Sequence, residues 1–332
     1  MKARTISASS LSATTVYPTT VAEVKSYLTS TEPQNICHLW NLWLDFVGSE
    51  GTTTYRAGNT YACTPSAGGQ AMLNTLDRCG SASLYDVTID TAGYEGINVQ
   101  SDKTLVGKNG ATLYGKGFLR MVGISNIIIQ NIEITNLKPA YVWGVDAIVL
   151  SDTSDIWIEP CHCKTSLLGR QHYSFGQDAD NAVTISNSFI NGVTTDSATC
   201  YGHTYWGLEL VGSSDTITFY QNYVYYTSGR SPALSGNTQF HAVNDVWADN
   251  SGHLIEGTAD GMGAYEGNVF DNCPTIVASG FRNCVANEYL SSDSFNYDRD
   301  GFFVDFGSYT IVGAASASSI ASSVPAKAGN TL

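Results

Sequence analysis

One short pattern constrains this chain more than any other: a run of apolar and β-branched residues that closes on asparagine. It occurs at 127–131 (IIIQN), 183–187 (VTISN), 218–222 (TFYQN), 241–244 (HAVN) and 264–268 (AYEGN). Each is followed by a second short run: IEI, SFI, YVY, DVW and VF. The last three asparagines, Asn222, Asn244 and Asn268, lie 22 and 24 residues apart (244 − 222, 268 − 244), and the first two, Asn131 and Asn187, lie 56 apart. Periods of this length mark a repeat architecture. Short β-runs with no helical pattern between them argue against alternating strands and helices. Asparagine is also a common turn residue. Its return at one offset instead predicts stacked coils, with side-chain amides bonded in a ladder along the axis. The expected fold is therefore all-β, a right-handed parallel β-helix.

Composition narrows the function classes. Of the 332 residues 43% are hydrophobic and only 14% charged, which is unlike a disordered chain. No apolar run is long enough for a membrane-spanning helix. The net charge of −14 disfavours a nucleic-acid partner, which needs a basic surface. It would also repel a fully ionised acidic polymer unless a cation or local arginines intervene, whereas a neutral polymer meets no such barrier. Eight cysteines amid abundant Gly, Ser and Thr point to an oxidising, extracellular location. Residues 1–13 do not read as a signal peptide, because no apolar stretch follows Lys2 and Arg4.

A single domain of 1–332 is expected, with the β-helix over 15–290 and loosely held tails at 1–14 and 312–332. Residues 21–28 (VAEVKSYL) have helical spacing, with Thr19 or Thr20 as N-cap. Residues 50–80 read as a loop excursion.

Several longer motifs carry a resemblance. They are 101–108 (SDKTLVGK), 126–131 (NIIIQN), 141–144 (YVWG) followed by 146–148 (DAI), 169–172 (GRQH), 196–200 (DSATC), 205–207 (YWG) and 228–232 (SGRSP), then 237–244 from Asn237-Thr to the asparagine of HAVN. In this order, over about 15–290, the chain resembles the fungal pectin lyases of polysaccharide lyase family 1. The resemblance implies a secreted β-helix that cleaves methyl-esterified polygalacturonate by β-elimination. It implies a monomer acting on pectin without calcium or any other cofactor.

β-Elimination needs a base for the C5 proton, stabilisation of charge developing toward the C6 carbonyl, and departure of O4. The resemblance makes Arg230 the base, although an arginine is ordinarily always protonated. It sets Arg170 where calcium-dependent relatives keep carboxylates, so a guanidinium would stand in for the cation on an ester carbonyl. It makes Asp146 the acid that orients both arginines. Trp143, Trp206 and Tyr205 are candidate platforms for sugar rings, with core packing as the competing role for each tryptophan. His172 and His203 read as structural. Cys161-His-Cys163 is too closely spaced for a structural zinc site.

Departures from the family pattern also stand out. Cys63 and Cys79 match a family disulfide, and the cysteine expected between them is replaced by Gly69 or its neighbour. That leaves Cys200 as a free thiol. Pro160 and Cys161 form an insertion between Asp146 and Arg170. A lysine usual after the Arg-x-Pro motif is Ala233. Aromatic cleft residues appear as Ser66 and Arg78. These departures favour one alternative, a β-helix homologue that binds pectin with weak or no catalysis; a second alternative, a calcium-dependent pectate lyase, is opposed by Arg170 standing in place of an acid.

Overall fold

The computed structural model describes residues 13–40, 43–108, 110–116, 119–142, 146–158, 163–258, 260–278, 284–285, 288–290 and 311–329. The repeated apolar runs form strands whose alternate side chains enter one interior, as a two-residue side-chain period requires. Ser125–Gln130 buries Ile127 and Ile129; Asp180–Ser186 buries Val183 and Ile185; Thr216–Tyr220 buries Ile217 and Phe219. The pairing is parallel throughout this stack: Ile129 opposes Ile158, which opposes Ile185, then Phe219, Ala242 and Tyr265. Among the described residues this gives parallel sheets of ten, nine and eight strands, visited in turn by each coil. The chain is thus a parallel β-helix with a single stacked apolar core.

The helix Val21–Thr29 closes against this stack, burying Val24 and Leu28. Thr20 is its N-cap and forms a capping box with Glu23. The stretch read as a loop excursion is more ordered than expected. Thr52–Gly58 pairs antiparallel with Leu84–Asp90 and with Ala71–Leu73, which pairs in turn with Tyr141–Val142. Ala57, Leu73, Val87 and Ile89 give this side sheet its own small core.

The asparagine ladder exists, but its rungs differ from those the motif suggested. Two adjacent corner positions had been merged. Asn131, Asn187 and Asn244 occupy the first, with Gln221 and Gly267 at the equivalent places, and all five have φ between 48° and 62°. Asparagine tolerates that left-handed backbone better than most residues. The interior ladder is the next position: Ser188, Asn222, Asp245 and Asn268. Ser188 N donates to Asn222 Oδ1 at 2.9 Å, Asn222 N and Nδ2 donate to Asp245 Oδ1 at 2.7 and 3.0 Å, and Asp245 N donates to Asn268 Oδ1 at 2.8 Å. Each step from Asn222 to Asp245 to Asn268 is 23 residues. The uneven spacing of 22 and 24 was the trace of the shift.

The expected Pro160–Cys161 insertion lies outside the described residues, yet its flanks locate it. Ile129, Ile158 and Ile185 are mutually in register, as are Glu133, Lys164 and Phe189. From the first set to the second is four residues in two coils (133 − 129, 189 − 185) and six in the other (164 − 158). The two extra residues therefore fall between Ile158 and Lys164, and the described strands on either side keep their register with the neighbouring coils. That connection differs from the corner that carries Asp146, Arg170 and Arg230.

The C-terminal tail is docked over its described part. Ala317, Ile320 and Val324 bury against Val246, Ala248 and Val269 on the outside of the nine-stranded sheet. The Asn244 amide holds this segment in both directions, accepting from Ala315 N at 2.7 Å and donating to Ala315 O at 2.9 Å.

Asp245 replaces an amide inside the ladder, and its buried Oδ2 has no hydrogen-bond partner among the described residues. Asn222 and Asn268 instead donate Nδ2 to the carbonyls of Ile185 and Ala242 in the preceding coil. Burial pushes the Asp245 carboxyl well above its usual range. A carboxyl raised on folding costs stability as pH climbs above its unfolded value, because the unfolded chain ionises first. Asp245→Asn is expected to raise unfolding stability at pH 7 by about 1–2 kcal/mol. The gain should shrink toward pH 3, as read by denaturant melts at the two pH values.

Candidate active site

The residues singled out for chemistry lie along one corner, where the coils enter the eight-stranded sheet. Asp146 precedes Ile148–Ser151, Arg170 precedes Tyr173–Phe175, and Arg230 precedes Ala233–Leu234. Between the last two strands runs Leu208–Leu210, with Tyr205 and Trp206 at its corner. Asp146 and Arg170 are thus on successive coils, and Arg230 is two coils further on. Arg230 adopts φ 48°, a left-handed conformation uncommon for residues other than glycine and concentrated at functional positions.

Glu209 links the two arginines. Arg170 Nη1 donates to Asp146 Oδ2 at 3.1 Å and Nη2 to Glu209 Oε2 at 2.5 Å. The other Glu209 oxygen accepts from Arg230 Nη1 at 3.2 Å, and Arg230 Nε donates to Glu256 Oε1 at 2.9 Å. Nη2 of Arg230 stays outside both ion pairs. Glu256 Oε2 accepts from Tyr205 Oη at 3.2 Å and is paired with His253 Nε2. Two guanidinium groups are therefore shared among three carboxyl groups.

Electrostatics follow from this arrangement. Burial alone would lower the pKa of Arg230, but Glu209 and Glu256 outweigh it and hold the guanidinium above its ordinary value. Burial pushes the Asp146 carboxyl up, opposed by Arg170 and by the N–H of Gln171, which donates at 2.8 Å. Tyr61 is near enough for both arginines to offset part of the rise that burial imposes on its hydroxyl.

Trp206 does not serve as an open sugar platform. It is 7% exposed. Its ring lies 5.2 Å from the Arg230 guanidinium carbon, and Tyr205 lies 5.6 Å from it. The tryptophan therefore supports the cation from one side, a contact strengthened by desolvation. Tyr205 is half-buried beside it. Trp143 lies outside the described residues. His172 is buried against Thr165, with its pKa lowered to about 3 by burial, and His203 stacks on Tyr226. Both fill the structural roles expected of them.

Glu209, Glu256, His253, Gln70 and Tyr61 had no motif to mark them. Register finds the glutamates: Glu209 opposes Ala233, and Ala233 opposes Glu256. The expected lysine would have stood between two acids. With alanine there, Arg230 is the cation that meets both. Gln70 fastens the side loop to the site, donating to Pro139 O at 2.7 Å and Gly169 O at 3.1 Å while accepting from Trp206 Nε1 at 3.0 Å.

The cysteine pairing is corrected. Cys63 bonds to Cys200 across a Cα separation of 5.4 Å, and Cys79 is a buried free thiol. That Cα separation suits a disulfide. A Cβ on Gly69 would come within 2.7 Å of the Cys63 sulfur. Glycine at this position leaves Cys63 the room in which it meets Cys200.

No protein-family model matches the chain. Curated relatives do. The chain is 69% identical to a probable pectin lyase E of Aspergillus niger, over 96% of this chain and 91% of that protein. It is 46% identical to pectin lyase A of Emericella nidulans, over 97% of this chain and 90% of that protein. Among solved structures, a pectate lyase from Paenibacillus aligns with TM-score 0.58 at 16% identity, over 96% and 91% of the two chains. At that identity the likeness speaks for the fold alone.

A non-reduced digest is expected to yield a Cys63–Cys200 cross-linked peptide by mass spectrometry, with Cys79 alkylated only after unfolding. A Cys63–Cys79 peptide would contradict this pairing. The bond closes a loop of 137 residues, and its loss through Cys200→Ser should cost about 2–5 kcal/mol in a denaturant melt.

Proposed function

The chain belongs to the pectin lyase family, and from that premise we propose how its site performs the elimination. It is a polysaccharide lyase. Its proposed substrate is α-1,4-linked, methyl-esterified galacturonan, cleaved without calcium, by a monomer acting outside the cell, where the Cys63–Cys200 bond is stable.

The carrying observation is that Arg170 and Arg230 grip opposite oxygens of one carboxylate, Glu209. Two guanidinium groups are then held side by side before substrate arrives. Arg170, fixed also by Asp146, would hydrogen-bond the ester carbonyl as charge builds on it. Such preorganised donors need no rearrangement during the reaction. A neutral ester acidifies the C5 proton more than a carboxylate does, so the arginine suffices where an acid substrate calls for a metal ion.

Arg230 is the proposed base. A guanidinium can accept a proton only at a nitrogen that has first given one up. Nη2 of Arg230 releases a proton to solvent water and takes the C5 proton in its place as the C4–O4 bond breaks, while Nε stays paired with Glu256 Oε1. The departing O4 receives a proton from water or a neighbouring donor, and the arginine ends as the guanidinium it began as. Asp146 keeps Arg170 in place and takes no part in bond making.

A second reading, a pectin-binding homologue with weak catalysis, draws on Ala233 in place of the family's lysine. One assay separates the two. The protein is incubated with highly methylated pectin, with and without a chelator, and the unsaturated product is followed by its ultraviolet absorbance. Equal activity in both conditions is expected, and Arg230→Ala should lower kcat by about 10³-fold. No product in either condition would rule out the enzyme. Loss of product with the chelator alone would rule out the calcium-free reaction.

A further inference from the structure

The outward face of the eight-stranded sheet carries a row of in-register residues that runs through the site and beyond it. From Glu256 the row passes to Ala233, Glu209, Ser174, Val149, Arg120 and Asn98. Glu209 and Glu256 are the acids that hold Arg230. Arg120 lies three strands from Glu209 on the same face. At the usual strand spacing that is about 14 Å. Burial alternates along its strand, Leu119–Val122, with Leu119 and Met121 in the core and Arg120 and Val122 outside.

Arg120 differs from the two arginines of the site in one respect. Nη1 donates to Asn98 Oδ1 at 3.2 Å, a neutral and exposed partner. Among the described residues no carboxylate pairs with it. Arg170 and Arg230 are each held by two. A free carboxylate arriving beside Arg230 would meet Glu209 and Glu256 and no uncompensated cation, so that position admits a neutral ester more readily. The opposite holds at Arg120. In a chain with a net charge of −14, an exposed guanidinium held only by an amide is a place where an anionic sugar is accepted.

We propose that Arg120, braced by Asn98, forms a remote subsite that binds the free carboxylate of an unesterified galacturonate within a partly methylated polymer. The inference rests on the galacturonan reading of the site. An α-1,4-linked hexuronate advances by nearly one strand spacing, so this subsite lies about three sugars from the reacting pair. The enzyme would then demand an ester where the chemistry occurs and reward an acid at a distance. It would select stretches of mixed esterification over uniformly esterified ones.

The test compares wild type with Arg120→Gln, which can keep a hydrogen bond to Asn98 and loses the charge. Turnover is measured on fully methylated pectin and on pectin of intermediate methylation. Affinity is measured separately, by calorimetric titration with partly methylated hexagalacturonate. The variant is expected to raise KM on the intermediate pectin by about fivefold to tenfold and to weaken the hexamer to a similar degree. Its KM on fully methylated pectin and its kcat on both should match wild type. Arg120→Lys should recover part of the affinity. An unchanged KM on the intermediate pectin with unchanged hexamer affinity would overturn the subsite, and so would an equal rise on both pectins. Wild-type cleavage alongside either result would leave the lyase reading standing. A wild type that neither cleaves pectin nor binds the hexamer would remove both.

Discussion

Parallel register between neighbouring coils is the constraint on which the rest of this molecule depends. Each strand of the stack takes backbone hydrogen bonds from the coil before and the coil after, and side chains at equivalent places come to lie one strand spacing apart. Ile129, Ile158, Ile185, Phe219, Ala242 and Tyr265 are brought together in this way in the core. Glu209, Ala233 and Glu256 are brought together by the same means on the surface. The site is therefore a by-product of stacking. Its spacing is set by backbone geometry and its chemistry by whichever residue falls at each step.

Within that frame the site depends on charge held out of bulk water. Arg170 and Arg230 would repel one another if left alone at this distance, and Glu209 removes the conflict by bonding to both. Trp206 beneath Arg230 excludes solvent from one face, which strengthens each ion pair around it. Leaving one partner of such a cluster without the others would be costly.

How far the sequence reveals this depends on whether a feature is local. Alternating apolar residues and asparagine-bearing corners are local, and they disclose the coils. Asp146, Arg170 and Arg230 sit in short motifs and were visible for that reason. The ladder was only half legible, because asparagine suits both a left-handed corner and the amide stack one residue later. Asp245 hid the true period of 23. Glu209 and Glu256 belong to no motif and gain meaning only through register across 21 and 26 residues from Arg230. The Cys63–Cys200 bond spans 137 residues, beyond what spacing alone can assign. The tail looked loose because small residues dominate it, and small residues are what a flat sheet face of Tyr223, Val246 and Val269 accommodates.

The docked tail also bears on the order of assembly. Its anchor, Asn244, can offer both amide groups to Ala315 only when that corner is already formed, and Gly329 N reaches Asn187 O at 3.2 Å, two coils earlier. The tail leaves the ribosome after every coil it touches. It can attach only to a finished surface, so its binding comes late and acts as a latch on a completed stack. Contacts made after the folding barrier slow unfolding without hastening folding. The tail would in that case prolong the life of the folded state more than it speeds its formation.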